Sequence, residues 1–245
     1  MSKAYKISGG LAGGGGKQAY QDLVLGSRSM WFLLKYEFIM LLAQNCPGAL
    51  GLWLRKKLYP MLLGACGPGC LFGRGITLRH PSKIKLGAGV VIDDNAMIDA
   101  KGQGNQGISL GRGVYIGRNS IVYTKGGDIE LAEKVNVSAN CELFSGNKLS
   151  IGQGTVIAAY TYLLSGGEYD YSSLTPLAEQ AGNVTRGETK VGANVWLAAH
   201  VVVADGSIIG DNAVIGAGSV VRGPIPGDSL AAGAPARVVR SLERK

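Results

Sequence analysis

The stretch Ser165–Ser173, SGGEYDYSS, sets two carboxylates and two tyrosines between a glycine pair and a serine pair. Glu168 and Asp170 are candidate proton acceptors there. Tyr169 and Tyr171, with Tyr160 and Tyr162 just upstream, present the aromatic-polar surface on which sugar rings stack, and are candidate substrate-binding residues. Imidazole is the usual base near neutral pH, and the chain has two histidines. His80, in Leu78-Arg-His-Pro, reads as structural; His200, after Trp196-Leu-Ala-Ala, is a third candidate base.

Metal chemistry finds no support in these residues. Cys46, Cys66, Cys70 and Cys141 match no zinc spacing, and no histidine pair lies near Cys66-x₃-Cys70. The glycines of residues 1–17 satisfy a loose G-x-G-x-x-G. No strand precedes them and no periodic helix follows to aim their amides at a phosphate, so residues 1–28 read as a flexible Gly-rich tail. No signal peptide precedes the cysteines, so reduced thiols and a cytoplasmic location are expected.

Net charge is +8, and eight basic residues in 1–63 stand against Asp22 and Glu37, so six of those charges lie there. No nucleic-acid module accompanies this basic, apolar segment, and it suits an anionic membrane surface better than nucleic acid. Residues 29–65 read as helical. The apolar run Met30–Leu42 includes Lys35 and Glu37 and falls short of the roughly 20 residues that cross a bilayer. A break near Pro47–Gly48 starts a second helix carrying Arg55-Lys56-Lys57. Two readings stand: helices packed on the neighbouring domain, or an interfacial anchor that touches the inner face of the membrane through residues 29–63.

Beyond residue 70 the sequence is a repeat of period six. Its first positions are Leu86, Ile92, Leu110, Ile116, Leu131, Val137, Ile151, Ile157, Val191, Leu197, Val203, Ile209, Ile215 and Val221, all aliphatic. Fifth positions are small or β-branched, Cys141 among them as a core residue; only Ile225 is large. Neither a helix nor an alternating strand has this period. Short strands joined by turns do, three units making one triangular coil that stacks on the next through parallel hydrogen bonds. From Leu86 the coil starts are 24, 21, 20, 40 and 18 residues apart, so all excess length enters after the third unit, at one corner of the prism. The expected architecture is mainly β: a parallel β-helix over 70–226 with an N-terminal helical segment, a loop insertion at 164–190 and a C-terminal tail over 227–245.

The runs VWLAAHVVVADGSIIGDNAVIGAGSVV and PIPGDSLAAGAPARVVR resemble the hexapeptide-repeat acyltransferases, in particular the maltose, galactoside and xenobiotic acetyltransferase branch. LRHPSKIKLG and VVIDDNAMIDAKG are similar to relatives among polysaccharide-biosynthesis proteins. The resemblance implies a left-handed β-helix, a homotrimer with sites between prisms, and transfer of an acyl group, usually acetyl, from acyl-coenzyme A to a hydroxyl or amine of a saccharide or glycolipid precursor, without metal. By position, Trp196, Ala199 and Ala217 would line the pantetheine channel, and Arg237 and Arg240 would meet the phosphates. The family often has Thr-Lys-Asp before Ile-Pro where this chain has Arg222-Gly223-Pro224, so the lysine is lost and Arg222 would replace its charge. The family's loop carries a catalytic histidine where this chain has Glu168, flanked by Tyr169 and Asp170. A carboxylate there costs roughly tenfold in rate unless burial raises its pKa. The alternative is a trimer that has lost catalysis and serves as a ligand-binding or membrane-complex scaffold. A γ-carbonic-anhydrase-like hydratase would need three histidines, and the chain has two.

Overall fold

The computed structural model describes residues 15–180, 182 and 184–243. Short strands of two to six residues run around a triangular prism and form three sheets of eight, nine and seven strands. Apart from one antiparallel strand at the C-terminal end, the strands of these sheets pair in parallel and join each coil to the next, as in Leu131↔Ile151↔Val191↔Ile209 on the first face. All fourteen first-position side chains are buried. Fifth positions are buried too, and their hydroxyls are satisfied across coils: Thr155 Oγ1 donates to the Gly192 carbonyl (2.8 Å), Thr161 Oγ1 to Ala198 (3.2 Å) and Ser207 Oγ to Val221 (3.2 Å). Cys141 is buried at its fifth position with its thiol on the Ala158 carbonyl, as a core residue would be.

Eight coils are present, more than the repeat count reaches. A coil begins at Ala65–Cys66, before the expected start at residue 70, and pairs with Ile84–Leu86. At the far end Ile225 pairs with Ile209 on the first face, and Ala231 with Ile215 on the second. The seventh coil, from Ile209, is thus two residues short, and Ile225 is a first-position residue of the eighth, which explains why it is too large for a fifth position. The expected tail over 227–245 is likewise built in. Ser229–Gly233 continues the second face, and Ala236–Ser241 folds back on it antiparallel. This return strand gives the last coil's edge backbone a partner.

Helices cover the opposite end. Where a flexible tail is expected over 1–28, residues Gly16–Tyr20 form α1 and Gln21–Leu25 a π-helical turn whose Leu25 is fully buried; residues 1–14 lie outside the described residues. Helix α2 spans Met30–Ala43, capped by the Ser29 hydroxyl on the Phe32 amide, and α3 spans Gly48–Leu58. Their inner faces supply hydrogen-bond donors to the first coil. Tyr36 Oη donates to the Leu78 carbonyl (2.8 Å), Gln44 Nε2 to Ile76 (3.2 Å) and Arg55 Nε to Phe72 (2.9 Å). Arg55 also donates to the carbonyls of Ala43 and Cys46, so it is a buried clamp between α2, α3 and the prism. It does not face outward with Lys56 and Lys57 as the sequence pattern implies.

His80 fastens the first segment. Its backbone is left-handed (φ 49°), its amide donates to the Val24 carbonyl (2.7 Å), and its Nε2 donates to the Asp22 carbonyl (3.1 Å). Burial pushes the imidazole pKa below its ordinary value, with Lys83 and Lys101 adding to the effect against the carbonyl contacts. A depressed folded-state pKa means that the neutral ring is the form the fold favours. Its stabilisation is present above about pH 6.5 and is lost as pH falls below that. The protection of the amides of residues 16–26, taken relative to their intrinsic exchange rate at each pH, is therefore expected to fall between pH 7.5 and pH 5. In His80→Asn, which tolerates the left-handed backbone, that loss of protection flattens; an unchanged pH dependence would remove His80 as its source.

Candidate functional site

The corner between the third and first faces collects every insertion. The largest runs from Gly166 to Glu188, between the third-face strand Tyr162–Ser165 and the first-face strand Thr189–Val191. Gly166 and Gly167 open it with positive φ (74° and 85°), and a Cβ on Gly167 would lie 2.5 Å from the Phe144 ring. Sequence reasoning missed the residue that closes this loop. Asp205, buried one coil above, accepts from the amides of Gly166 and Arg186 and from Thr185 Oγ1 (3.1 Å), tying both ends of the insertion to one carboxylate. The only signal for it is an acid at the corner of the coil that follows the long insertion.

Glu168 lies just inside this clamp. Its backbone pairs with Val184 across the loop (3.0 Å each way), and its half-buried carboxylate lies 3.4 Å from the Arg186 guanidinium. Asp170 is exposed and builds a turn: the Ser172 hydroxyl and amide donate to it and hold its carboxyl below the usual carboxylate range. Tyr169 packs against Gly182, while Tyr171 is exposed. Beside the loop root, on the third face, Tyr123 Oη donates to Glu142 Oε1 (2.8 Å), and the Tyr123 ring lies 4.9 Å from Phe144. Burial and Glu142 push the Tyr162 hydroxyl pKa up. Glu142 is thus a second carboxylate, held among aromatic side chains, that the hexapeptide pattern gave no reason to single out.

The other candidates gather at a different edge, the corner between the second and third faces in the later coils. Ala199 and Ala217 occupy equivalent places in successive coils, joined by the Gly218 amide on the Ala199 carbonyl (3.0 Å). The chain surface is open here, and a Cβ on Gly218 would meet no atom within 4 Å. Trp196 stands outward on the second face, 53% exposed. His200 and Tyr160 hold equivalent left-handed corner positions (φ 60° and 61°), and their rings stack at 5.1 Å, 5° from parallel. Arg237 and Arg240 are exposed on the return strand of the second face, and Arg222 is exposed just after the third-face strand Val220–Val221.

One chain therefore brings Trp196, Ala199, His200, Ala217, Arg237 and Tyr160 to one edge and Glu168, Asp170, Tyr169 and Tyr171 to another. Face three lies between them, with Tyr162 on it. The open groove on the first face, lined by Glu130, Ser150, Lys190 and Asp211 among others, holds none of these candidates. Among the described residues no group of three or more His, Cys, Asp or Glu side chains could hold a metal ion.

Residues 188–223 match the family of the bacterial transferase hexapeptide (six repeats). A probable acetyltransferase of Mycobacterium tuberculosis is 28% identical over 136 residues, 56% of this chain and 45% of the relative. The galactoside O-acetyltransferase of Escherichia coli is 32% identical over 122 residues, 50% of this chain and 58% of the relative. The chain thus spans about half the length of these curated relatives. An N-acyltransferase of Bacillus cereus, AntD, solved with dTDP-4-amino-4,6-dideoxyglucose and coenzyme A, shares the fold with a TM-score of 0.56 at 18% identity, covering 78% of this chain and 90% of that one.

Removing the Asp205 carboxylate should uncouple the loop from the prism. In Asp205→Ala the buried amides of Gly166 and Arg186 lose their acceptor, a loss on the order of 1–3 kcal/mol. Hydrogen exchange over 167–186 is expected to rise about tenfold or more, with the protection of the coils at 129–163 unchanged. Equal loosening of loop and coils would mean that Asp205 supports the prism as a whole.

Proposed function

From a chain built on the repeat of the bacterial hexapeptide transferases, we propose an acyltransferase that moves an acyl group, acetyl in the simplest case, from acyl-coenzyme A to a hydroxyl or amine of a saccharide or glycolipid precursor. The observation that carries this reading is the division of the candidate residues between two corners. The open edge of Trp196, Ala199 and Ala217 suits a thin pantetheine arm, because small side chains let a ligand reach backbone amides and carbonyls. Arg237 and Arg240, exposed beyond it, suit the coenzyme's phosphates through charge-assisted bonds, with Arg222 as a third cation. The loop with Glu168 lies a face away, so the two halves make one site when a neighbouring copy brings its loop to this edge. A trimer of parallel prisms does this three times over.

In that site Glu168 takes the proton of the acceptor hydroxyl or amine as its oxygen or nitrogen attacks the thioester carbonyl. The carbon–sulfur bond then breaks, and the departing thiolate recovers the proton. Arg186 orients the Glu168 carboxylate, Asp170 holds the loop's turn through Ser172, and the His200–Tyr160 stack walls the coenzyme edge. Tyr162 and the loop tyrosines, Tyr169 and Tyr171, offer the acceptor stacking and hydrogen-bonding surface. The same reading puts the protein in the cytoplasm with residues 29–63 turned toward a membrane.

The Glu168–Arg186 ion pair also favours a second reading, in which the carboxylate only fastens the loop and the trimer is a scaffold that has lost catalysis. The two separate cleanly. With acetyl-coenzyme A and a panel of saccharide and glycolipid-precursor acceptors, the first expects transfer that falls about a hundredfold or more in Glu168→Gln while coenzyme affinity by calorimetry holds. Coenzyme affinity should weaken about tenfold in Arg237→Ala/Arg240→Ala. Coenzyme binding without transfer to any acceptor would favour the scaffold. Unchanged turnover in Glu168→Gln would remove that residue as the base.

A further inference from the structure

The helical cap has two apolar faces. Helix α2 buries Tyr36, Ile39, Met40 and Ala43 against the prism, yet its outer side is also apolar: Trp31 (77% exposed), Leu34 (58%), Phe38 (61%) and Leu41 (84%) follow one another at helical spacing. Helix α3 continues this outward surface with Leu50 (62%) and Trp53 (56%). A helix that is apolar all round is ordinarily covered on every side. Here only one side is, and so large an exposed apolar patch marks an interaction surface.

Charge identifies the occupant. Lys56 and Lys57 are exposed on α3, three and four residues beyond Trp53, and so lie one helical turn from it. The sole acid within residues 29–63 is Glu37, and the Tyr20 hydroxyl donates to it. Tryptophan and leucine set beside lysines are the composition that buries rings at the headgroup level while cations meet anionic lipid. A second copy of the same face would bring lysines toward lysines. Residues 1–14 offer Met1, Tyr5, Ile7 and Leu11 as their large apolar side chains, too few to cover it. No helix among the described residues is long and apolar enough to cross a membrane, so contact would be from one side.

We propose that the outer faces of α2 and α3 form a docking surface for an anionic lipid bilayer, with Trp31, Phe38 and Trp53 inserted among headgroups and Lys56 and Lys57 on the lipid phosphates. This rests on the transferase reading only for its consequence. In a trimer of parallel prisms the three caps face the same way, so three weak contacts act together and set the clefts at a fixed height above the membrane. An acceptor carried on a lipid would then be presented to all three.

The test is flotation of the full chain with vesicles of phosphatidylcholine alone and with phosphatidylglycerol added. Binding to the anionic vesicles is expected to exceed binding to the neutral ones, to weaken with salt, and to shift tryptophan emission to the blue in a Trp196→Phe background. Trp31→Ser/Phe38→Ser and Lys56→Glu/Lys57→Glu should each reduce it about tenfold or more. Acetyl-coenzyme A affinity should hold in both variants, which keeps this result separate from the fate of the transferase assignment. Failure of the wild-type chain to float, or flotation untouched by both variants, would overturn the proposal. So would a fall in solution mass in Trp31→Ser/Phe38→Ser, since the face would then be an interface between copies.

Discussion

Every corner between the first and second faces, and between the second and third, turns through one residue with left-handed backbone at the fourth place of the hexapeptide. Gly69, Gly75, Gly89, Asn95, Gly113, Asn119, Asn140, Gly154, Asn194, Asn212 and Gly218 do this with the side chains that tolerate it best. With φ fixed there, the following fifth position points into the prism and the next first position begins a new face. Strand register then follows from the turns: each coil lies over the last, residue on residue, and the aliphatic stacks close. The core is thus a consequence of where the chain is allowed to turn, as much as of which residues are apolar.

This is why so much of the fold could be read from the sequence. A period of six leaves its mark on three positions at once: aliphatic at the first, Gly or Asn at the fourth, small at the fifth. Insertions at one corner did not obscure it, because each coil restarts the count. What escaped was set by the ends, where the period lapses. Cys66-Gly-Pro-Gly opens a coil without an aliphatic first residue, and the two-residue shortening before Ile225 turns a first position into an apparent fifth. Arg55 escaped for a different reason. A basic triplet on a short helix gives no sign of which member turns inward, and Arg55 does so because orphan carbonyls of α2 and the first coil converge on it.

The site was legible by type and not by place. The tyrosines and carboxylates near Glu168 stand out because they interrupt a repeat, and position within the hexapeptide puts Ala199 and Ala217 on one edge. Asp205 lies 39 positions from Gly166 and Glu142 lies 19 from Tyr123, and only the stacking of coils brings these pairs together. Glu142 and Asp205 are informative for that reason. Both are carboxylates lodged where the prism wall would accept an apolar or neutral residue, Asp205 at the root of the long loop and Glu142 at the start of the third-face strand beneath it.

Four corner positions forgo glycine and asparagine: Lys134, Tyr160, His200 and Asp228. Left-handed backbone costs a residue without those side chains about 1 kcal/mol or more. At the corner between the first and second faces Asp228 follows an asparagine, accepting from Asn212 Nδ2 (3.0 Å), whereas Tyr160 and His200 hold the same place in consecutive coils at the next corner, stacked ring on ring. Part of their cost is offset by that stacking, but two asparagines or glycines would fold there at least as well. The repeat is otherwise consistent across the chain, so a paired departure from it is best explained by something other than folding. It falls beside Trp196 and Ala199, on the edge already singled out by its open backbone and small side chains. Backbone strain and surface chemistry thus select the same corner independently.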